Sequence, residues 1–167
     1  MQLSTFNHAP EQELHQLLKQ LVHIDAWAHS LQQQRPFQSK ADVLQTAADL
    51  ADIWTWDDIE AALATHPRIG EKQAKAALSA KEQNFSHNEQ AVISQDATTQ
   101  TALFEGNVAY EEKFNFIFLI RAAGRSSDDI LTLLQQRLNN DLDTEKKIVH
   151  QQLKEIALLR LDQEIDA

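Results

Sequence analysis

The sequence predicts an all-α protein, a single-domain bundle of about seven to eight helices over residues 1–167. Only three glycines and three prolines occur in 167 residues, which is too few for the turns of a β-sandwich or barrel. Residues that favour helices, such as Ala, Leu, Gln, Glu and Lys, dominate the chain. Apolar residues also recur at three- and four-residue spacing, which is the pattern of a helix with one buried face. At most one short extended segment is expected, near residues 114–121.

The first half of the chain divides at capping signals and prolines. A first helix is predicted over residues 10–32, with Pro10 at its first position. Ser39 and Asp42 predict the start of a second helix that ends near residue 54. Thr55 and Asp58 repeat this signal for a short helix. That helix is expected to end at residue 66, because a proline disfavours helical geometry in the residue before it.

The second half is predicted to continue as helices around one irregular segment. A turn is expected at Gly70, followed by one or two helical turns over residues 71–78. Ser86, with a glutamate three residues later, predicts the start of a helix that runs toward residue 106. Residues 107–113 are again helical by composition, whereas residues 116–120 favour an extended backbone. The last two helices are expected to begin at Ser126 or Ser127 and at Asp143 or Thr144.

Charge and composition exclude several classes of partner. The chain has 15 Lys and Arg against 25 Asp and Glu, a net charge of −10, so a phosphate backbone would be repelled and no nucleic-acid partner is expected. The longest apolar run, residues 116–120, is far shorter than the roughly 20 residues of a membrane span. With no export signal and no cysteine, we expect a cytoplasmic protein with no membrane partner.

The common catalytic motifs are absent from the sequence. None of the seven histidines belongs to an HExxH or similar ligand cluster, so no metal site is predicted. The chain also lacks a glycine-rich phosphate loop and a Gly-x-Ser-x-Gly elbow. Nucleotide binding and serine hydrolysis therefore have no supporting pattern.

Two polar segments remain as a candidate site. His66 precedes Pro67 at a predicted helix exit, and an imidazole with an ordinary pKa of about 6.5 suits proton transfer near neutral pH. Glu82 and Gln83 stand three and four residues after Ser79, so all three can share one side of a helical turn. The same Ser79-x-x-Glu82 spacing is also that of an ordinary capping box, and a histidine before proline is more often only a helix-end residue.

The ordered set of motifs resembles a known family. It is similar to the 2-oxo-4-hydroxy-4-carboxy-5-ureidoimidazoline (OHCU) decarboxylases over roughly residues 5–162. The motifs that carry this resemblance are His66-Pro67-Arg68-Ile69-Gly70, Ser79-x-x-Glu82-Gln83, Tyr110-x-x-Lys113-Phe114-x-Phe116-x-Phe118-Leu119-Ile120, Arg137-Leu138-x-Asn140 and Ile156-Ala157-x-x-Arg160-Leu161. Arg68 departs from the acidic residue that some members have after the His-Pro pair, which leaves Arg68 without a transferable role.

The resemblance implies a metal-free, cofactor-independent homodimer that converts OHCU to (S)-allantoin and carbon dioxide in urate breakdown. It implies that His66 is the catalytic acid/base and that Glu82 is its partner carboxylate. The substrate site implied by the resemblance comprises Pro67, Ser79, Gln83, the backbone of Phe118, Leu119, Ile120, Arg121 and Ala122, and Arg160 as the group that meets substrate charge. Two alternatives stay open: a non-catalytic helical interaction module, and a hydrolase of a neighbouring ureide such as 5-hydroxyisourate.

Overall fold

The computed structural model describes residues 1–70, 79–91, 93–94 and 96–167. Within these ranges the chain forms nine helices and no strand, which confirms the all-α prediction. The helices group into two compact units, one of residues 1–62 and 154–167 and the other of residues 63–153. The prediction of a single domain over residues 1–167 stays a prediction, as does the helix predicted over residues 71–78, which lie outside the described ranges.

The first unit contains α1 (Leu3–His8), α2 (Glu11–Leu21), α3 (Asp25–Gln33), α4 (Lys40–Asp52), most of α5 (Trp56–Leu63) and the last turns of α9 (Leu142–Glu164). Its core includes Phe6, Leu14, Leu18 and Leu31, all of which are almost fully buried. Trp27 fixes α3 against α4, because its indole N–H donates a hydrogen bond to the Ala47 carbonyl at 3.0 Å.

The single helix predicted over residues 10–32 is wrong, because the chain breaks between α2 and α3. Val22 has an extended backbone (φ −154°, ψ 133°), and the backbone of Ile24 is also extended. Both side chains are buried, at 1% and 3% exposure. Val and Ile are β-branched and have a slightly low helix propensity, so an extended backbone costs them little free energy. The extended backbone accompanies the burial of both side chains. Pro10 precedes α2 as its N-cap residue and is not its first helical residue.

The second unit contains α6 (Ala80–Glu89), α7 (Ala97–Phe114), α8 (Ser127–Arg137) and the first part of α9. The helix start predicted at Ser86 is wrong, since Ser86 lies inside α6. Asp96 instead begins α7, because its carboxylate accepts hydrogen bonds from the Thr98 and Thr99 amides at 3.1 and 3.2 Å. Aspartate is a poor helix former in the interior of a helix, but it is well placed at the N-cap position.

The core of this unit lies between α7, α8 and the irregular segment that follows α7. It is formed by buried aromatic and aliphatic residues, including Tyr110, Phe114, Phe118, Ile130 and Leu134. Gly106 permits close packing of α7 on α8, because a Cβ atom there would overlap Leu134 Cδ2. The last helix begins at Leu142, after Asp141 accepts a hydrogen bond from the Thr144 amide, and not at Asp143 or Thr144.

None of the helices in the described ranges combines the length and the apolar character needed to cross a membrane.

Candidate active site

His66 lies where the sequence predicted, just beyond the end of a helix. Helix α5 ends at Leu63, and the His66 amide donates a hydrogen bond to the Leu63 carbonyl at 3.1 Å. The His66 side chain is only 7% exposed. Pro67 prevents the helix from continuing, because it cannot donate a backbone hydrogen bond and restricts the preceding residue. A buried histidine on a fixed backbone is a suitable proton donor or acceptor.

The three residues after Pro67 are held by side chains of α7 and by Gln90, the C-cap residue of α6. Arg68 forms a bidentate ion pair with Glu111 of α7, with Nε–Oε2 and Nη2–Oε1 distances of 2.9 and 2.8 Å. The side-chain amide of Asn107 donates a hydrogen bond to the Ile69 carbonyl at 3.0 Å. The backbone amide of Gly70 donates one to Gln90 Oε1 at 2.9 Å. Gly70 has φ +81°, which favours glycine and confirms the predicted turn. The structure thus gives Arg68 a role that the sequence left open.

The capping interpretation of the Ser79-x-x-Glu82 spacing is confirmed. The Ser79 amide donates to Glu82 Oε2 at 2.7 Å, and the Glu82 amide donates to Ser79 Oγ at 3.3 Å. This reciprocal pair begins α6, and Gln83 follows it as an exposed residue of the first turn.

Glu82 is more buried than a capping box requires. Its exposure is 6%, whereas Asp129, in the equivalent box with Ser126 at the start of α8, is exposed. Carboxylates are rarely so buried unless they are paired. The capping role therefore does not by itself account for the position of Glu82, and its predicted role beside His66 stays a prediction.

Residues 118–122 form a buried stretch of irregular backbone. Helix α7 ends in a left-handed cap at Asn115 (φ 63°), and neither helix nor strand occurs before α8. Phe118, Leu119, Ile120 and Ala122 are each at most 4% exposed. A segment of this kind cannot satisfy its peptide groups through regular secondary structure, so they need other partners. The predicted extended segment is thus found as irregular backbone.

A buried ion pair lies next to this segment. Arg137 and Glu145 are 5% and 0% exposed and are directly paired. Glu145 also accepts hydrogen bonds from the Tyr110 hydroxyl at 2.6 Å and from the Asn140 amide at 3.1 Å. Burial raises the pKa of Tyr110, and the hydrogen bond to Glu145 raises it further, so the phenol stays neutral.

This ion pair, which lies beside the candidate site, was not predicted from the sequence. Arg137 belongs to the Arg137-Leu138-x-Asn140 motif, and no motif includes Glu145. A signal was present, because Arg137 continues the buried stripe of Ile130 and Leu134 at helical spacing. An arginine at such a position must be paired, since an isolated buried charge is costly.

Arg160 lies in the first unit, apart in the chain from the other predicted site residues. It is 4% exposed, and its Nη1 donates to the Leu21 carbonyl at 2.9 Å. The predicted contact of Arg160 with substrate stays a prediction.

The part of the chain that the structure describes contains no group of three or more His, Asp or Glu side chains arranged to hold a metal ion.

Comparison with known proteins identifies the family. A sequence model of the OHCU decarboxylase family matches residues 7–162. The chain belongs to the OHCU decarboxylase family. A crystal structure of OHCU decarboxylase in the presence of (S)-allantoin superposes with a TM-score of 0.73 at 25% identity, covering 89% of this chain and 96% of that one. The family is one of carboxy-lyases in urate degradation, and the resemblance stated from the sequence is confirmed.

Named relatives agree with this family. The 2-oxo-4-hydroxy-4-carboxy-5-ureidoimidazoline decarboxylase of Amia calva is 25% identical over 76% of this chain and 73% of its own length. The uric acid degradation bifunctional proteins of Bacillus sp. (strain TB-90) and Arabidopsis thaliana are 25% and 32% identical. Alignment covers 98% and 66% of this chain, but only 32% and 36% of those two proteins. The chain therefore spans about a third of the bifunctional relatives.

Proposed function

We propose that this chain catalyses the decarboxylation of OHCU to (S)-allantoin, without a metal or an organic cofactor. The observation that carries the proposal is a family match over residues 7–162 that includes two buried titratable side chains, His66 and Glu82. The hypotheses of a non-catalytic module and of a ureide hydrolase have no comparable support. Most of the site residues implied by the resemblance lie in the unit of residues 63–153.

The substrate provides its own electron sink, which explains why no cofactor is needed. Breaking the bond between the ring carbon and the carboxylate releases carbon dioxide and leaves an electron pair, which the adjacent C=N bond accepts. The pair forms a C=C bond to the neighbouring ring carbon, which bears the ureido group, while the nitrogen of the former C=N bond takes up a proton. A proton must then be delivered to the ureido-bearing carbon, and the hydroxyl on the decarboxylated carbon loses its proton to become the carbonyl of allantoin. The enzyme therefore has to orient the carboxylate, stabilise the developing charge and provide the proton on one face.

His66 is the proposed proton donor, and solvent restores its proton after each turnover. Its backbone is fixed by the end of α5 and by Pro67, and burial limits the directions from which it can approach substrate. Glu82 is proposed to orient the imidazole and to favour its charged form. Delivery of the proton to one face of the ring would give a single enantiomer of allantoin. In free water, by contrast, the proton can be added to either face.

The remaining contacts are proposed to bind substrate rather than to transfer protons. Pro67, Ser79 and Gln83 would line the site, and the peptide groups of residues 118–122 would bond the ring and ureido edges. Arg160 is proposed to meet the substrate carboxylate. Local cations of this kind are needed, because a net charge of −10 disfavours capture of an anion.

The direct test uses freshly generated OHCU. Wild-type protein is expected to accelerate carbon dioxide release and to yield optically active (S)-allantoin. His66→Ala, with a wild-type circular dichroism spectrum, should do neither. Release at the uncatalysed rate, or a racemic product, would refute the proposed function. Freshly generated 5-hydroxyisourate is the second substrate, and turnover of that compound alone would favour the hydrolase alternative.

We also propose that the protein is a cytoplasmic homodimer. The resemblance implies the dimer, and a chain without cysteine suits a reducing compartment. Light scattering should give twice the chain mass of 19.0 kDa. Activity recovered in a soluble cell fraction, separate from periplasmic or organelle markers, would support the location.

A further inference from the structure

The backbone of residues 118–122 is held at two points by side chains of the helices beside it. Arg137 of α8 donates from Nη1 to the Leu119 carbonyl at 2.7 Å. Gln152 of α9 accepts from the Arg121 amide through Oε1 at 2.9 Å. Both contacts join residues far apart in sequence, and both lie within the unit of residues 63–153.

The first of these contacts is rigid because Arg137 is itself fixed. Its guanidinium is paired with Glu145 and stacks 4.5 Å from the centre of the Phe118 ring. Glu145 is fully buried and is held in turn by Tyr110 and Asn140. A planar guanidinium with several directional donors can pair with a carboxylate and bond a carbonyl simultaneously.

The residue between the two anchored positions is Ile120. Among the described residues, no hydrogen bond to the N–H or C=O of Ile120 is found, although Ile120 is only 4% exposed. Buried peptide groups without partners are uncommon and call for an explanation. A bound ligand that bonds this backbone provides one.

We propose that Arg137 and Gln152 are positioning residues, which fix the Leu119 carbonyl and the Arg121 amide so that the peptide groups of Ile120 between them are presented to substrate. Arg137 and Gln152 do not touch substrate in this proposal, and they act through the backbone alone. The inference deepens the proposed function and rests on it, since it assumes that residues 118–122 form part of the substrate site.

Gln152 provides the cleaner variant, because removing Arg137 leaves Glu145 as an unpaired buried charge and could prevent folding. Gln152→Met keeps the length of the side chain and removes the acceptor. Gln152→Glu keeps an acceptor oxygen and is the rescue variant. Gln151→Met is the matched control, because Gln151 is the exposed neighbour on the same helix.

Two readouts test the proposal. Steady-state kinetics on OHCU should show KM raised about tenfold in Gln152→Met with kcat within about threefold, as expected for weakened binding rather than altered proton transfer. Gln152→Glu should restore most of the KM, and Gln151→Met should match wild type. Hydrogen exchange should be faster in peptides that cover residues 116–123 of Gln152→Met, and unchanged in α7 and α8.

The outcomes separate this inference from the proposed function. A folded Gln152→Met protein with wild-type KM and wild-type exchange would overturn the positioning role. Faster exchange spread evenly over the unit would also overturn it, since that pattern is general destabilisation. If wild-type protein fails to turn over OHCU, the proposed function fails, and the exchange comparison still tests whether Gln152 holds the segment because it needs no substrate.

Discussion

Glu82→Gln separates the two roles of this carboxylate. The structure shows that Glu82 closes a capping box through its Oε2 atom, and the proposed mechanism requires the same carboxylate to orient His66. Glutamine keeps the shape and an acceptor oxygen but not the charge. The cap hydrogen bond should therefore survive, whereas the electrostatic support of an imidazolium should be lost.

The expected cost to stability is small. A hydrogen bond to a charged acceptor exceeds one to a neutral acceptor by about 1 kcal/mol, and the lost charge at the helix N-terminus adds about 0.5 kcal/mol. Relief of a buried charge offsets part of this, since Glu82 is 6% exposed. The net loss of about 1 kcal/mol lowers Tm by about 3 °C in a domain of this size. Activity should fall by about tenfold or more, which corresponds to about 1.4 kcal/mol of barrier.

The chain contains its own control for the capping contribution. Ser126 and Asp129 form the equivalent box at the start of α8, with both hydrogen bonds present at 3.1 and 3.2 Å. Asp129→Asn makes the same change in charge at a helix that carries no proposed catalytic residue. It should lower Tm by a similar amount and leave kcat/KM for OHCU unchanged. If both variants keep full activity, or both lose it equally, the orienting role of Glu82 is refuted.

Four further outcomes follow from the fold and the site. His66→Ala should keep the helical spectrum and lose about 100-fold or more in kcat; near-normal turnover would contradict its catalytic role. Chelator treatment should leave activity unchanged, and zinc-restored activity would reveal a missed metal site. Gly106→Ala should lower the free energy of unfolding by about 1 kcal/mol, since overpacking against Leu134 outweighs the gain in helix propensity; denaturant titration measures this, and a stabilised variant would contradict the packing. Tyr110 has a raised pKa, so its contribution to stability is fully present below pH 10.0 and is lost as pH rises above it. Because Tyr110 is the only tyrosine, phenolate absorbance should appear together with unfolding, and an early rise would contradict its burial.

Local signals in the sequence predicted several helix boundaries correctly, although the same spacing at Ser86 gave a wrong one. The boxes at Thr55 and Ser79, and the cap at Ser126, all involve partners three residues apart, so the sequence spacing contains the whole interaction. The helix exit at His66 was predicted for the same reason, since Pro67 acts on its immediate neighbour. These features required no knowledge of tertiary packing.

Features that depend on tertiary contacts were not predicted. The break between α2 and α3 accompanies the burial of Val22 and Ile24, and periodicity alone continued the helix through both. The support of the irregular segment comes from Arg137 and Gln152, which lie 18 and 31 residues from the backbone groups they bond. No local pattern specifies such pairings, although the place of Arg137 on a buried stripe was a usable indication.

The capping and orienting roles of Glu82 are compatible, because a carboxylate has two oxygens. The box occupies Oε2, which leaves Oε1 outside it. The first turn of α6 also stabilises negative charge through the helix dipole. Hydrogen bonds of this kind favour the charged form of a carboxylate, and the direction of the Glu82 side chain is fixed by the backbone. Those are the properties required of a group that orients an imidazole without exchanging protons with it. The cap would therefore prepare Glu82 for its proposed role beside His66, and Glu82→Gln tests the charge separately from the cap.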